Sequence, residues 1–375
     1  MAANAFLPEE IILEIVARLP VKSVGRCRCV STRWRSLFSD PHFAKSHFQL
    51  GPKHRALIIQ HLIKLETLAS DLSNTSLFEK ESLVLRNLNS PFYHKHVQFL
   101  GSCNGLVAVR VFHVFHPYSE QETESFLIWN PSTGFFKNFP GRGHMDNHKG
   151  IKCGFGYVSK TDEYKLVMGD AILSSKTESW KLMEILPPGA DVWMIDGVFF
   201  RDALYWLECS RHQEQDQARH MYAFDLEKEE FSIMQLPSAL QTLDIRTWNH
   251  GVTREGCLYA MVLRKVYRDC VEFDYYVVEL WVMRDYGNND YCWTRSFGVK
   301  IPSTARRHWY LWVGSISVSE TSASVMTNCP VGKPANYKLM PTSHYRNEEE
   351  NSDIWMIENN EPDMVVYEES LYRLD

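Results

Sequence analysis

Leu7–Phe43 reads LPEEIILEIVARLPVKSVGRCRCVSTRWRSLFSDPHF, a stretch whose composition sets it apart from everything that follows it. It predicts three short helices. Pro8 suits a first helical position, where its missing N–H costs no hydrogen bond. Glu9 and Glu10 come next, where the helix dipole favours negative charge. Ile11, Ile12, Ile15, Val16 and Leu19 recur at helical spacing until Pro20 stops the run. Val24, Cys27 and Val30, at intervals of three, mark a second helix. Ser31 is placed to cap a third, with Trp34, Leu37 and Phe38 on its inner face, and Asp40-Pro41 ends it. A unit of about 37 residues buries too little apolar surface to stand alone. Two apolar faces on so short a segment fit one packed inward and one on another protein, or an N-terminal helical cap on a larger domain.

Beyond this stretch, residues 46–54 read as a connector closed by Gly51-Pro52, and Arg55–His61 as a short buried strand. From Phe99 onward the texture is short strands separated by Gly, Asn, Asp and Pro turns. One pattern recurs: a strand such as FLIWN (126–130) enters a tight turn and FFKNFP (135–140) returns from it. YAFD (222–225) and FSIMQLP (231–237) repeat it, and a third copy runs through CLYAM (257–261) and ELWVM (279–283) to a closing strand with Trp293. Leu106, Leu204 and Leu258 stand 98 and 54 residues apart, and GFGY (154–157) divides the longer interval. A period of roughly 50 residues with about four strands each is the signature of propeller blades. The length allows about six, with Met364–Tyr367 expected to pair with Arg55–His61 and shut the ring. The expected fold is thus a small α-helical N-terminal module (1–45), the connector (46–54) and a large all-β domain (55–375). That domain reads as an irregular β-propeller of about six blades, with a β-sandwich as the alternative. No strand–Asp–turn signature is found between Ser315 and Asn351, although Tyr310–Val313 reads as a strand.

A net charge of −6 over 375 residues excludes the basic profile of a general nucleic-acid binder. Nine cysteines without a Cys-x-x-Cys pair predict reduced thiols and a cytoplasmic or nuclear protein. Glu9, Glu10 and Glu14 interrupt any signal-peptide pattern, and no apolar run approaches 18 residues, so no membrane association is expected. Charge is uneven: Arg18, Lys22, Arg26, Arg28, Arg33 and Arg35 have no acid among them, whereas the last 30 residues are strongly acidic. The basic run reads as a solvated face or as a surface for an acidic partner.

The residues of the opening stretch carry a resemblance. Leu7-Pro8 before the isoleucines, RLPVKS (18–23), CRCVS (27–31), Trp34 and DPHF (40–43) together resemble an F-box of the large plant group. GSCNGL (101–106), WNPST (129–133), GFGY (154–157), DEYKLV (162–167), YAFDLEKEEF (222–231), ELWVM (279–283) and YEESL (367–371) are similar to the F-box-associated, kelch- or propeller-like domain of the same proteins. The resemblance implies a substrate-recognition subunit of an SCF-type cullin–RING ubiquitin ligase. Its F-box would dock a Skp-type adaptor, and through it the cullin and RING subunits, while the β-domain binds a target protein. By the same resemblance Leu7, Pro8, Ile11, Ile12, Ile15, Leu19, Pro20, Val21 and Trp34 would form or support the adaptor-binding surface. Gly25 departs from the family's bulky aliphatic residue, and a helical Gly costs about 1 kcal/mol relative to Ala.

Chemistry is sparse. There is no GxxxxGK, GxGxxG, GxSxG or HExxH. His113-x-x-His116 and His94-x-His96 have no companions placed to complete a metal site. Cys27 and Cys29, two apart on a helix, face different ways and read as packing residues. No catalytic residue and no cofactor is expected. Trp129, Trp206, Trp281 and Trp293 fall on repeat-equivalent strands and read as core. Trp180, Trp193, Trp248 and Trp312 are less regular and stand as target-binding candidates, where aromatic residues concentrate. Residues 110–125, 140–150, 208–220 and 264–274 are the irregular connections on which specificity is expected to sit. Two other functions stay open at this stage: an adaptor-binding scaffold or decoy that does not lead to degradation, and a propeller enzyme with a helical cap.

Overall fold

The computed structural model describes residues 7–374 apart from 62–63, 69–84, 89, 93–95, 114–122, 143–152, 184–192, 195–196, 210–219, 241–244, 269–271, 286–290, 302–312, 319–322, 328–334 and 340–362. The described part opens with four helices, α1 (Glu9–Val16), α2 (Val21–Cys27), α3 (Thr32–Leu37) and α4 (Pro41–Leu50). Pro8 sits one position earlier than the sequence predicts, and Pro20, which ends the first run as expected, takes the same place before α2. Each is the N-cap of the helix that follows, in extended conformation. Ser31 caps α3 as expected, its Oγ accepting from Trp34 N at 3.1 Å. The fourth helix adds a second role to Asp40-Pro41, beyond the expected end of α3. Asp40 Oδ1 accepts from His42 N (2.7 Å) and Phe43 N (3.3 Å), and Pro41 occupies the first turn. The same dipeptide that ends α3 thus starts α4, because an Asx cap and a first-turn proline are both helix-initiating. The helical segment consequently runs into the stretch read as connector.

Among the described residues six small sheets follow, not the two facing sheets of a sandwich. Sheet I joins Arg55–His61, Lys64–Leu68 and Leu85–Asn87 to the last strand of the chain, Asp363–Glu368. In that pairing Ile58 stands opposite Val365 and Ala56 opposite Tyr367, as the expected union of the chain's two ends requires. Sheet II is a four-strand meander from His96–Cys103 to Phe136–Phe139. Sheet III runs from Cys153–Val158 to Trp180–Leu182, and sheet IV from Trp193–Met194 to Glu230–Gln235. Sheet V runs from Ile245–Val252 to Tyr291–Ile301. Sheet VI holds Val313–Val318, Ala323–Thr327 and Ala335–Leu339, so strands do occupy part of the 315–351 region where sequence offered no signature. The domain is all-β and propeller-like. Residues 264–274 are a second correction. Of these, 264–268 and 272–274 belong to two long paired strands in which Arg264 stands opposite Val277 and Lys265 opposite Tyr276, and 269–271 lie outside the described residues. Interleaved charges there masked a strand whose β-branched and aromatic residues favour the sheet.

By contact the chain divides into two compact units, one of residues 1–145, 174–180 and 363–375, the other of 146–173 and 181–362. In the second unit the GFGY motif has a steric meaning. A Cβ on Gly154 would lie 2.9 Å from the Trp206 ring, and one on Gly156 would lie 2.6 Å from Leu226 and Phe199. Trp206 is buried and its Nε1 donates to Cys153 O at 2.9 Å. Trp129 is equally buried in the first unit, while Trp281 and Trp293 pack half-buried on the core of sheets IV and V.

One turn recurs before the outer strand of sheets II, III and IV. Asn130 Oδ1 accepts from Ser132 N (2.8 Å) and Thr133 N (3.3 Å), and Gly134 closes the turn at φ +75°. Ser174 Oγ does the same for Lys176 N and Thr177 N, with Glu178 at φ 53°. Asp225 Oδ1 repeats it with Glu227 N and Lys228 N, both at 2.9 Å, with Glu229 at φ 58°. A short side-chain acceptor replacing a backbone turn bond is what Asn, Ser and Asp supply. Those backbone donors also help hold the Asp225 carboxyl below its usual range, against the opposing effect of its desolvation.

His250, buried in sheet V, has Nε2 at 2.9 Å from Tyr205 O. Burial pulls its pKa down to about 4, only partly offset by that carbonyl. The unfolded chain binds a proton near the ordinary value of about 6.5 that the folded chain refuses. Stability from this group is therefore complete above that pH and falls by roughly 3 kcal/mol as pH drops towards 4. Urea titrations at pH 7 and pH 4.5 measure the loss, and His250→Gln is expected to reduce it.

Candidate interaction surface

The core of α1–α4 is built from Val16, Ala17, Val21, Val24, Phe38, Phe43 and Ala44, with Ile12, Leu13, Leu19, Cys27, Trp34 and Leu37 half-buried against it. Trp34 meets Phe38 edge-on at 5.4 Å, and Phe38 meets Phe43 at 5.1 Å. His47 of α4 reaches across with Nε2 at 2.7 Å from Leu19 O, which ties α4 to the junction between α1 and α2. Burial lowers the His47 pKa, although the Leu19 carbonyl acts to raise it. A neutral ring is therefore the form that packs here. Arg28 closes the other end: its Nε donates to Phe38 O at 3.0 Å, where the last carbonyls of α3 attract a cation.

The opposite face of α1 is bare. Leu7, Ile11 and Ile15 are 60%, 41% and 51% exposed. Ile11 and Ile15 lie four apart on one face of α1, and Leu7, just ahead of the N-cap, adds a third exposed apolar side chain to that stripe. Pro8 and Pro20 are exposed beside it. The nine predicted residues therefore divide: Leu7, Pro8, Ile11, Ile15 and Pro20 lie on the surface, Ile12, Leu19 and Trp34 are half-buried, and Val21 is buried beneath them. On the same module a cleft of about 780 Å³ lies against Leu13, Leu37, Phe43 and Leu50, with Glu9, Arg33, Asp40 and His42 also lining it. Sequence reasoning missed this cleft because Leu50 belongs to the helix read as connector.

Of the basic run, Arg18 pairs with Glu14 at 3.0 Å and Arg33 with Glu9, and Arg28 is held by Phe38 O. Lys22 and Arg26 remain exposed on α2. Among the described residues no group of three His, Cys, Asp or Glu is placed to hold a metal, and no helix is long and apolar enough to cross a membrane.

A profile of the F-box domain matches residues 6–46, and one of the F-box associated beta propeller domain matches residues 58–374. The chain belongs to the F-box proteins that carry an associated β-propeller domain. F-box protein CPR1 of Arabidopsis thaliana is 26% identical over 82% of this chain and 76% of its own length. An F-box/kelch-repeat protein of the same plant is 25% identical over 87% of this chain and 89% of its own. Among solved structures, a prolyl endopeptidase chain matches 67% of this chain and 35% of its own at 11% identity and a TM-score of 0.38, too low to bear on either fold or function.

Within this F-box protein the four irregular tryptophans are placed unevenly. Trp180 is half-buried, its Nε1 donates to Pro140 O at 2.9 Å, and its ring meets Phe126 edge-on at 4.9 Å. Trp193 and Trp248 stand in strands opposite Cys209 and Val262, and Trp312 lies outside the described residues. Of the connections expected to set specificity, 114–122, 143–150 and 210–219 also lie outside the described residues.

Gly25 is exposed in α2, and a Cβ there would meet nothing within 4 Å. Gly25→Ala is therefore expected to raise stability by about 0.5–1 kcal/mol, measured by urea denaturation. In the same assay Ile11→Ser/Ile15→Ser should stay within about 0.5 kcal/mol of wild type, as surface changes do. Phe38→Ala should cost about 3 kcal/mol or more.

Proposed function

We propose that this F-box protein is the substrate-recognition subunit of an SCF-type cullin–RING ubiquitin ligase. The observation that carries the reading is the exposed Leu7–Ile11–Ile15 stripe, standing on an F-box whose other face is already packed. An apolar stripe of this kind on a small helical unit is what a protein partner covers. In this reading a Skp-type adaptor docks there, with Pro8 and Pro20 beside the stripe and Ile12, Leu19, Val21 and Trp34 supporting it from within. Cullin and RING subunits follow through the adaptor.

The β-domain then holds a target protein close to the ubiquitin-loading enzyme. Its contribution is proximity: tethering raises the effective concentration of a target lysine, and the covalent chemistry belongs to other subunits. The chain itself acts as no enzyme and uses no cofactor. Trp193, Trp248, Trp312 and the exposed part of Trp180 are the aromatic positions proposed to meet the target, and cytoplasm or nucleus is the proposed location.

The test is capture of the purified full chain by a Skp-type adaptor. Leu7→Ala/Pro8→Ala and Ile11→Ser/Ile15→Ser should each weaken binding by at least about tenfold, as loss of buried anchors does. A folded wild type that does not bind, or variants that bind as well as it does, would overturn the reading.

A further inference from the structure

Among the described residues, the F-box core contains one that is not from the F-box. Leu371, four residues from the end of the chain, is 2% exposed and packs in the same cluster as Val16, Val21, Val24 and Phe38. Its neighbours fix it there. Tyr372 lies edge-on to Phe48 of α4 at 5.3 Å, and Glu369 N donates to His54 O at 2.8 Å. Asn130, wholly buried at the repeated turn of sheet II, donates from Nδ2 to Ser370 O (3.1 Å), Ser370 Oγ (3.2 Å) and Tyr372 O (2.9 Å). Gly105 makes the approach possible: a Cβ there would lie 2.2 Å from Ser370 Oγ.

The choice of Asn at position 130 follows from this geometry. The turn itself needs only an acceptor, and the equivalent turns use Ser174 and Asp225. A carboxylate or hydroxyl serves the turn equally well, but only the amide also presents two N–H donors to the tail carbonyls. Asn130 thus does two jobs with one side chain, and the second is specific to this sheet.

We propose that residues 370–372 are a completion latch: the adaptor-docking helices reach their packed form only once the C-terminal strand is paired and the tail is seated. Because the F-box precedes Leu371 by more than 300 residues, a chain that stops before Leu371 presents helices lacking part of their core. Docking would then be restricted to molecules in which residues 370–372 are present and seated. The docking consequence rests on the proposed adaptor function; the dependence of the helices on the tail does not.

The experiment is hydrogen exchange on the full chain, read separately for α1–α2 and for the strands of sheets IV and V. The variants are Leu371→Ala, Asn130→Asp and a chain ending at Glu369, with Leu371→Met as the conservative control. Asn130→Asp keeps the turn, as Asp225 does, and turns a carboxylate on the tail carbonyls. The expected result is a fall of at least about tenfold in protection of α1–α2 in the first three, little change in sheets IV and V, and recovery in Leu371→Met. Adaptor affinity should fall in parallel although no residue of the exposed stripe is altered. Unchanged α1–α2 protection in Leu371→Ala and Asn130→Asp would overturn the latch, and so would an equal loss in every sheet. If the shortened chain does not fold, the two point variants decide. If the wild type fails to bind the adaptor, the ligase reading falls while the exchange result still judges the latch.

Discussion

The F-box has too little apolar surface for the number of residues it must order. Four helices within Glu9–Leu50 supply a handful of buried side chains, of which only Val24 and Phe38 are wholly excluded from solvent. A unit this small needs help from outside itself. Two sources are visible in the architecture: Leu371, which enters the core from the far end of the chain, and the bare stripe on α1, which a partner would cover. The first stabilises the free protein; the second leaves a surface for association. Both follow from one shortage.

The β-domain meets a related constraint in another way. Within each unit small sheets bury a face against one another, sheets I and II around one core and sheets IV and V around another, so the sequence must keep faces complementary and turns tight. Tight turns come from the repeated side-chain acceptor, Asn130, Ser174 or Asp225, each followed four residues later by a residue at positive φ. Close sheet contact comes from Gly154 and Gly156, whose missing side chains admit Trp206, Leu226 and Phe199. Charge is used sparingly in this interior. Lys165, almost buried, donates to Leu226 O and to Glu229 Oε1, both at 2.8 Å, so its ammonium is not left without acceptors.

Much of this was legible in the residues. The isoleucine spacing located α1, Ser31 located α3, and the returning turn residues gave the propeller-like repeat and the pairing of Arg55–His61 with the last strand. What sequence reading missed has physical causes. Asp40-Pro41 is both an end and a beginning, and a linear scan takes the first meaning. Arg264 and Lys265 interleave charge with Val262, Val266 and Tyr267, which disguises a strand in which Arg264 is half-buried and paired with Glu279 at 3.3 Å. Of the site, the types of residue were readable but not their facing: Leu7, Ile11 and Ile15 differ from Ile12 and Val16 only in which side of one helix meets the core. The role of Leu371 had no local signal at all, since its partners lie more than 300 positions away in sequence.

Site-specific photo-crosslinking tests the central claim most directly. A photoreactive amino acid is placed at Ile15 on the bare stripe of α1 and, in a separate chain, at Leu182, which is 66% exposed on sheet III. Each full-length chain is irradiated with a purified Skp-type adaptor. The account predicts a covalent adduct from position 15 and none from position 182. An adduct from position 182 alone, or equal yields from both, would contradict it.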